Sequence, residues 1–436
     1  MKNKIFKTLL FVMSVTLLIV LSACNNKTVN DYDNSVSFED TEYVFETDWQ
    51  YYYGTGDLKT NVTCSPNGYY TCAANGFVRF IDAKTLKATP LCAKANCDHT
   101  DKDFCDAYIE NLSLGGVGFA NGTGTSSILQ YYNGKLYFLI GEENDTTMST
   151  DQYLESADPD GKNKRKATDK LDFGSNISSW LIHRGYFYAV ASSGVYRVNL
   201  ENKAEEEVFV LENFINGTNN IHSVMAYGND MYIKYDNIKA DESGDLKSTG
   251  EYLTVHIDLN TLQSSQCSCD GKEVYIVSFL NGRVLAYCID KEEYMADYYL
   301  CDTDFTEFEK VTSLPVGETL TTDGKYYYIE NGGYIQIQRF QGNEFKKPEG
   351  AEDYYGQTVK IYDMKMNEVD SFIIPSKKPY DTFAAQSPND FILFLPVDGS
   401  ENKYSVSVIE KSKIGSFNGN AAELTDVGEW REYFRR

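Results

Sequence analysis

Three cysteines and a histidine lie close together in a short stretch of the chain. Residues 91–107 read LCAKANCDHTDKDFCDA and contain Cys92, Cys97, His99 and Cys105, although the chain has only four histidines. Thiolates and an imidazole are ligands that zinc prefers, and four of them complete a closed tetrahedral site. In an extended segment, residues two apart point to the same side, so Cys97 and His99 can grip one ion. The stretch therefore predicts a structural zinc ion with no open position for a substrate, although its spacing is not that of a zinc finger or knuckle.

A disulfide is the alternative chemistry for these cysteines. Ten cysteines occur in the chain, and nine of them follow Cys24, so at least one thiol is left without a partner in the chain. The Cys92–Cys105 stretch can close a disulfide within itself or with Cys64 or Cys72, which flank a predicted turn. Cys288 and Cys301 lie in two strands of one predicted hairpin, and the geometry of such a hairpin allows a cross-strand disulfide between them.

The N-terminus has the features of a secretory signal. Lys2, Lys4 and Lys7 precede a short apolar run, and the run ends in the quartet Leu21-Ser22-Ala23-Cys24. This quartet resembles a bacterial lipobox. The resemblance implies that residues 1–23 are removed as a signal peptide and that Cys24 carries a lipid. The polar residues that follow, within 24–40, are then a flexible tether, and the protein is anchored outside the cytoplasm on the membrane of a bacterium.

The composition limits the partners of the mature chain. The full chain has a formal net charge of −24, and removal of 1–23 takes away three lysines and no acidic residue, which leaves 37 basic and 64 acidic residues and a charge of −27. Such a surface repels nucleic acid and anionic lipid head groups. The chain also has 34 Tyr and 24 Phe, residues that favour strands, whereas helix-period apolar stripes are hard to find. We therefore expect an all-β domain that does not bind nucleic acid.

A repeating hairpin organises the elements that must position the cysteines. Turn pairs rich in Gly, Asn and Asp recur before alternating aromatic or aliphatic strands, and positive φ angles suit such pairs to tight hairpins. The seven pairs are Asn67-Gly68, Asn133-Gly134, Arg184-Gly185, Gly228-Asn229, Asn281-Gly282, Asp323-Gly324 and Asn389-Asp390. Their spacing of roughly fifty residues is typical of propeller blades. We predict a single β-propeller over 41–436 with about seven four-stranded blades, six or eight if one unit is split or merged, closed by residues 42–53 joining the last blade.

Two short motifs give this fold a family resemblance. Residues 158–168, DPDGKNKRKAT, look like the strand-ending motif of bacterial TolB-like propellers, which propellers of the low-density-lipoprotein-receptor type share. Residues 65–69, SPNGY, resemble a TolB-type turn, and the cysteine-containing loop 91–108 is similar to segments of uncharacterised propeller lipoproteins of Gram-positive anaerobes. The resemblance implies a β-propeller at the surface of a Gram-positive bacterium and assigns no activity. The YWTD signatures of the receptor-type propellers are absent from the chain.

The sequence contains no recognisable catalytic motif of the metalloprotease, α/β-hydrolase or P-loop kind. We expect a lipid-anchored scaffold that binds a protein, peptide or glycan without catalysis, and the insert 341–356 is a candidate contact surface. Two alternatives stay open. One is an extracytoplasmic enzyme with carboxylates and tyrosines in the propeller channel. The other is a metal- or redox-responsive protein that uses the Cys92, Cys97, His99 and Cys105 cluster.

Overall fold

A computed structural model gives the structure of the protein. It describes residues 43–50, 62–72, 76–112, 129–144, 149–175, 177–215, 218, 220–269, 271–290, 292–293, 295–315, 318–331, 357–374, 383–387, 389–396 and 403–431. The predicted signal peptide, Cys24, the tether and the insert 341–356 lie outside these ranges. Among the described residues, no helix is long and apolar enough to cross a membrane.

The described strands form seven sheets of four strands each, and every sheet consists of four consecutive antiparallel strands. We number these blades 1 to 7 in chain order. Blades 1 and 2 consist of β1 (Val62–Ser65), β2 (Gly68–Cys72), β3 (Val78–Asp82) and β4 (Ala88–Pro90), then β5 (Leu129–Tyr132), β6 (Lys135–Asn144), β7 (Ser149–Ala157) and β8 (Arg165–Lys166). Blades 3 and 4 consist of β9 (Ser179–His183), β10 (Tyr186–Ala191), β11 (Gly194–Asn199) and β12 (Glu205–Val210), then β13 (Ile221–Tyr227), β14 (Asp230–Ala240), β15 (Leu246–Asp258) and β16 (Ser264–Cys267).

The remaining three blades have the same strand order. Blades 5 and 6 consist of β17 (Val274–Leu280), β18 (Arg283–Asp290), β19 (Met295–Cys301) and β20 (Phe308–Pro315), then β21 (Glu318–Thr322), β22 (Tyr327–Asn331), β23 (Gln357–Tyr362) and β24 (Glu368–Ile374). Blade 7 consists of β25 (Phe383–Gln386), β26 (Asp390–Pro396), β27 (Lys403–Glu410) and β28 (Thr425–Arg431). The all-β, seven-bladed propeller predicted from the repeat is confirmed.

The predicted turn pairs connect the first and second strands of the blades. In blades 2, 3 and 5, both turn residues have positive φ, for example 44° at Asn133 and 75° at Gly134. Such turns match the twist of the strands that they join. Arg184 holds the same position in blade 3 with a φ of 45°, although it is neither Gly nor Asn. Its side chain is used elsewhere in the structure, as described below.

Apolar side chains fill the spaces between neighbouring blades. Blade 1 packs against blade 7 on one face, through residues such as Ile81 and Val408, and against blade 2 on the other, through residues such as Val78 and Phe138. One large cluster spans blades 3, 4 and 5. Alternation along each strand sends side chains to both faces, so each blade contributes to two such layers. The core is therefore a ring of interfaces between blades.

The described part of the N-terminal segment, 43–50, does not add a strand to the last blade, contrary to the prediction for residues 42–53. This part forms turns rather than a strand, and its hydrogen bonds reach blades 1, 2 and 3, while Tyr43 and Phe45 pack against the apolar cluster between blades 1 and 7. The amides of Asn133 and Arg184 donate to the carbonyls of Glu46 and Thr47, both at 2.8 Å. All four strands of blade 7 come from 383–431 instead. Hydrogen bonds to the turn amides of blades 2 and 3, which apolar periodicity does not reveal, decide this placement.

Candidate metal centre

The loop 91–108 follows β4 of blade 1, and both of its ends form hydrogen bonds with one residue of β3, Val78. Leu91 N donates to Val78 O at 3.0 Å, and Val78 N donates to Ala107 O at 2.8 Å. Leu91, Ala107 and Val78 are also buried in the layer between blades 1 and 2. The two ends of the loop are therefore fixed to β3, and the cysteines lie between them.

Local turns bring the cysteines and the histidine to the same side of this loop. Cys97 N donates to Lys94 O at 3.2 Å, and Cys105 N donates to Asp101 O at 2.9 Å. The Asp98 carboxylate accepts the amide and hydroxyl of Thr100 at 3.1 and 2.8 Å, spanning His99. His99 itself has a φ of 62°, in the left-handed region that side chains rarely adopt. The segment is therefore turned rather than extended. The prediction that Cys97 and His99 lie on the same side because the segment is extended is wrong, since turns bring them together.

The four predicted ligands do come together. One donor atom from each of Cys92, Cys97, His99 and Cys105 lies within 4.8 Å of all the others. His99 Nδ1 is 3.4 Å from Cys105 Sγ. In a tetrahedral zinc site, bonds of about 2.0–2.3 Å place neighbouring donors roughly 3.4–3.8 Å apart. The three sulfurs and one nitrogen therefore have the composition and the approximate spacing of a closed four-ligand site. Cys105 is buried, and the other three are half-buried.

Backbone amides point at two of the sulfurs. Burial acts to raise the pKa of Cys92, but hydrogen bonds from the amides of Lys94 and Asp106 and contacts with the other two thiols lower it below its usual range. Burial and the thiols of Cys97 and Cys92 raise the pKa of Cys105 to about 12, although its sulfur accepts a hydrogen bond from the amide of Ala107. Amide donors stabilise a thiolate. The amides of Lys94 and Asp106 thus favour a thiolate at Cys92, which is the form of cysteine that binds metals.

Two lysines lie near the three cysteines and the histidine and form hydrogen bonds with the loop. Lys94 Nζ is 2.9 Å from the Asp106 carboxylate and also donates to Phe104 O. Lys164, from the TolB-like motif of blade 2, donates to Asp106 O at 3.0 Å and to Tyr108 O at 2.6 Å. Three thiolates with a divalent ion carry a net charge of −1, which nearby ammonium groups offset. The sequence prediction did not include these lysines, because only the fold brings blade 2 to the loop.

The other predicted cysteine pairs are not formed. All nine cysteines after Cys24 are described and are thiols. Cys301 lies opposite Val284, and Cys288 lies opposite Asp297, four residues further along β18. Four residues of strand span about 13 Å, whereas disulfide-bonded Cα atoms lie less than about 7 Å apart. The cross-strand bond expected between Cys288 and Cys301 is therefore excluded by their register.

Cys64 and Cys72 are also kept apart. Cys64 faces blade 7 and Cys72 faces blade 2, so the two thiols lie in the layers on opposite sides of blade 1. Neither is one of the four residues that approach each other in the loop. The loop cysteines thus have one another and His99 as neighbours, and Cys72 provides a buried thiol of the same layer for comparison.

No family model and no curated protein matches the chain. Among solved structures, a prolyl endopeptidase is similar over 90% of this chain and 51% of its own, with 10% identity and a TM-score of 0.48. TolB from Acinetobacter baumannii is similar over 82% of this chain and 77% of its own, with 12% identity and a TM-score of 0.32. The β-propeller domain of the Trilobed protease from Pyrococcus furiosus is similar over 68% and 92%, with 10% identity and a TM-score of 0.35. The chain spans about half the length of the prolyl endopeptidase, and these likenesses concern the β-propeller fold alone.

Proposed function

We propose that this chain is an extracytoplasmic lipoprotein, anchored through Cys24, whose propeller is a non-catalytic scaffold for binding a protein, peptide or glycan. A structural zinc ion, held by Cys92, Cys97, His99 and Cys105, stabilises blade 1 of the propeller. The approach of four donor atoms to within 4.8 Å of one another carries the metal assignment. Bound there, a divalent ion supplies a cross-link between the two halves of the loop. Four protein ligands leave no position for a substrate, so the role is structural.

Two observations support the scaffold role. The blades are rigid four-stranded sheets, and the hairpin of β14 and β15 extends well beyond its neighbours in blade 4. Residues 246–251 on this hairpin are all exposed, and they include the apolar Leu246, which is 40% exposed. A projecting hairpin on a rigid ring is a suitable contact surface for another molecule. The acidic composition supports partners other than nucleic acid.

The metal assignment is tested with the full chain, purified in detergent without oxygen. Its mass is recorded under native and denaturing conditions, and its zinc content is measured. We expect one zinc ion per chain, lost on denaturation, with the loop thiols reduced. Cys105→Ser should abolish zinc binding, whereas Cys72→Ser, which removes a buried thiol from the same layer, should retain it. A metal-free chain lighter by two hydrogens, with a disulfide in the loop, would contradict the assignment.

The anchor and the scaffold are tested separately. Cys24→Ser should abolish incorporation of labelled fatty acid and release the protein from the membrane fraction, and an unchanged distribution would contradict the anchor. For binding, a photo-crosslinking residue replaces Leu246 on intact cells. Val369 of blade 6, which is 41% exposed, serves as the matched control. A product formed from position 246 and not from 369 supports the scaffold role. Equal products, or none, would contradict it.

A further inference from the structure

Four cysteines that the metal site does not use meet in the interface between blades 4 and 5. Cys267, Cys269, Cys288 and Cys301 belong to one apolar cluster, and their exposed fractions are 4%, 6%, 3% and 0%. They come from the last strand of blade 4, the connection that follows it and two strands of blade 5. A buried cysteine packs as a small apolar side chain, so burial alone gives these four no role, and what distinguishes them is that they lie together in one interface.

Within this group, the strand register makes neighbours of Cys269 and Cys288. Cys269 forms an antiparallel bridge with Lys272 across the tight connection. Two residues later, Val274 pairs with Cys288. This register brings the connection back over β18, where Cys269 and Cys288 are neighbours in the same apolar cluster. Cys301 lies further along the hairpin, opposite Val284.

The surroundings favour a covalent pair over a cation site. In the described part of the chain, the Cys92 group is the one set of three or more ligating residues whose donor atoms converge. Burial raises the pKa of Cys267, Cys288 and Cys301 alike, so the interface holds these residues as neutral thiols and a reaction requires the interface to open. A disulfide is uncharged and has no S–H donor that needs a partner, and an apolar interface therefore accommodates it readily.

We infer that Cys269 and Cys288 are a redox-active pair that closes to a disulfide when the protein meets a low-molecular-weight disulfide. One cysteine loses its proton, attacks the small disulfide and releases one small thiol, which leaves a mixed disulfide. The second cysteine loses its proton, attacks this mixed disulfide and releases the other small thiol. Two protein thiols are oxidised, and one small disulfide is reduced to two thiols. The new bond fastens the connection between blades 4 and 5 to β18 and closes a loop of about twenty residues.

The test uses the full chain purified without oxygen and incubated at increasing ratios of oxidised to reduced glutathione. The samples are denatured, alkylated and mapped as peptides. We expect one species that links Cys269 to Cys288 and is two hydrogens lighter than the reduced form. We also expect the midpoint of thermal unfolding to rise by several degrees on oxidation, because the bond restricts the unfolded chain. The incubation is repeated in urea just below the unfolding transition, so that burial cannot prevent the reaction.

Two variants separate this pair from its neighbours. Cys288→Ser should abolish the linked peptide and the thermal shift, whereas Cys301→Ser, a buried thiol of the same cluster, should retain both. If Cys288→Ser does not fold, the peptide map of the unsubstituted protein still shows which two cysteines are linked. Alkylation of Cys269 and Cys288 at every glutathione ratio, or a link between a different pair, would overturn the inference. The same map reports the loop thiols separately, so its outcome is independent of the proposed zinc site.

Discussion

Single polar side chains join one blade to the next, and Asp390 is the clearest case. It lies at the start of β26 in blade 7 and accepts a short hydrogen bond from the Tyr69 hydroxyl of blade 1. Ser387 Oγ is 2.9 Å from the same hydroxyl. Burial raises the pKa of Asp390 above its ordinary value, although the Tyr69 hydrogen bond opposes this rise. The ionised carboxylate is therefore less favourable in this interface than in the unfolded chain, and it lowers stability at pH values above its raised pKa.

The first prediction concerns the pH dependence of this interface. Because the folded-state pKa of Asp390 is raised, the folded protein gains stability as pH falls through that pKa towards the unfolded-state value. Asn cannot titrate, and it still accepts a hydrogen bond. Asp390→Asn should thus be at least as stable as the unsubstituted protein at pH 7, and its advantage should shrink at pH 4. Urea unfolding at both pH values measures this.

Asp82 provides a control of opposite sign. The amide and hydroxyl of Thr85 lower the pKa of this exposed carboxylate. Its stabilising effect is present above the unfolded-state pKa and disappears as pH falls through the folded-state pKa. Asp82→Asn should be less stable than the unsubstituted protein at pH 7, with a difference that vanishes at low pH. If both variants changed in the same direction with pH, the assignment for Asp390 would fail.

Gly161 shows why the turn between β7 and β8 requires glycine where it meets the cysteine loop. Its φ is 84°, and an added Cβ would lie 2.7 Å from Leu91 O. Gly174 has a φ of 72° but nothing within 4 Å of such a Cβ. Gly174→Ala should cost about 1–2 kcal/mol from the left-handed backbone alone. Gly161→Ala should reduce the free energy of unfolding further, because Leu91 must also move. Equal losses in urea unfolding would show that the contact with the loop is absent in solution.

At the scale of elements, the loop 91–108 depends on a strand that belongs to another blade. Lys164 precedes β8 and donates to two carbonyls of the loop, those of Asp106 and Tyr108. Lys166, two residues later in β8, instead pairs with Glu142 at 2.8 Å. Blade 2 thus holds the C-terminal end of the loop through the Lys164 side chain. The neighbouring Lys166 is directed to Glu142 instead of the loop.

We expect Lys164→Met to weaken zinc binding by roughly 10- to 100-fold, the range seen when groups behind metal ligands are lost. Amide hydrogen exchange within 91–108 should also become faster. Competition with a chromogenic chelator measures the affinity, and Lys166→Met is the control that should leave both quantities unchanged. Equal effects of the two substitutions would indicate a general effect of charge rather than a specific anchor.

At the scale of the whole molecule, the segment 43–50 ties three blades together at one end of their strands. Arg184 Nε donates to Asp48 Oδ1 at 2.8 Å, and the two side chains are 0% and 1% exposed. Trp49 N donates to Nδ1 of His183 at 3.0 Å, and His183 Nε2 is 2.8 Å from Gly228 O in blade 4. A buried ion pair contributes little net energy when intact, but an unpaired buried charge is strongly destabilising.

Asp48→Ala should therefore lower the free energy of unfolding by about 3–5 kcal/mol, because it leaves the Arg184 guanidinium buried without its carboxylate. Asp160→Ala is the control, since the Asp160–Lys162 pair is about half exposed at 53% and 51%. Its loss should stay within roughly 1 kcal/mol. Urea unfolding of both variants makes the comparison. A small effect of Asp48→Ala would show that the segment is not part of the folded ring.

The sequence by itself determined the kind of fold and the composition of the site. Turn pairs and alternating strands are local signals, because two neighbouring residues with positive φ and a period of two define a hairpin wherever it lies. Their sevenfold recurrence therefore predicted the number of blades. Cys92, Cys97, His99 and Cys105 are close in sequence, so a few turns were enough to bring them together, even though the left-handed φ of His99 could not be foreseen.

Only the tertiary structure decided which distant residues meet. The register of β18 against β19 separates Cys288 from Cys301, and a single blade sends Cys64 and Cys72 to opposite faces. The approach of Cys269 to Cys288, the reach of Lys164 to the cysteine loop and the placement of 43–50 on blades 1 to 3 all depend on packing between elements. Such contacts leave no periodic trace in the chain, because they are set by strand register and by the geometry of the closed ring.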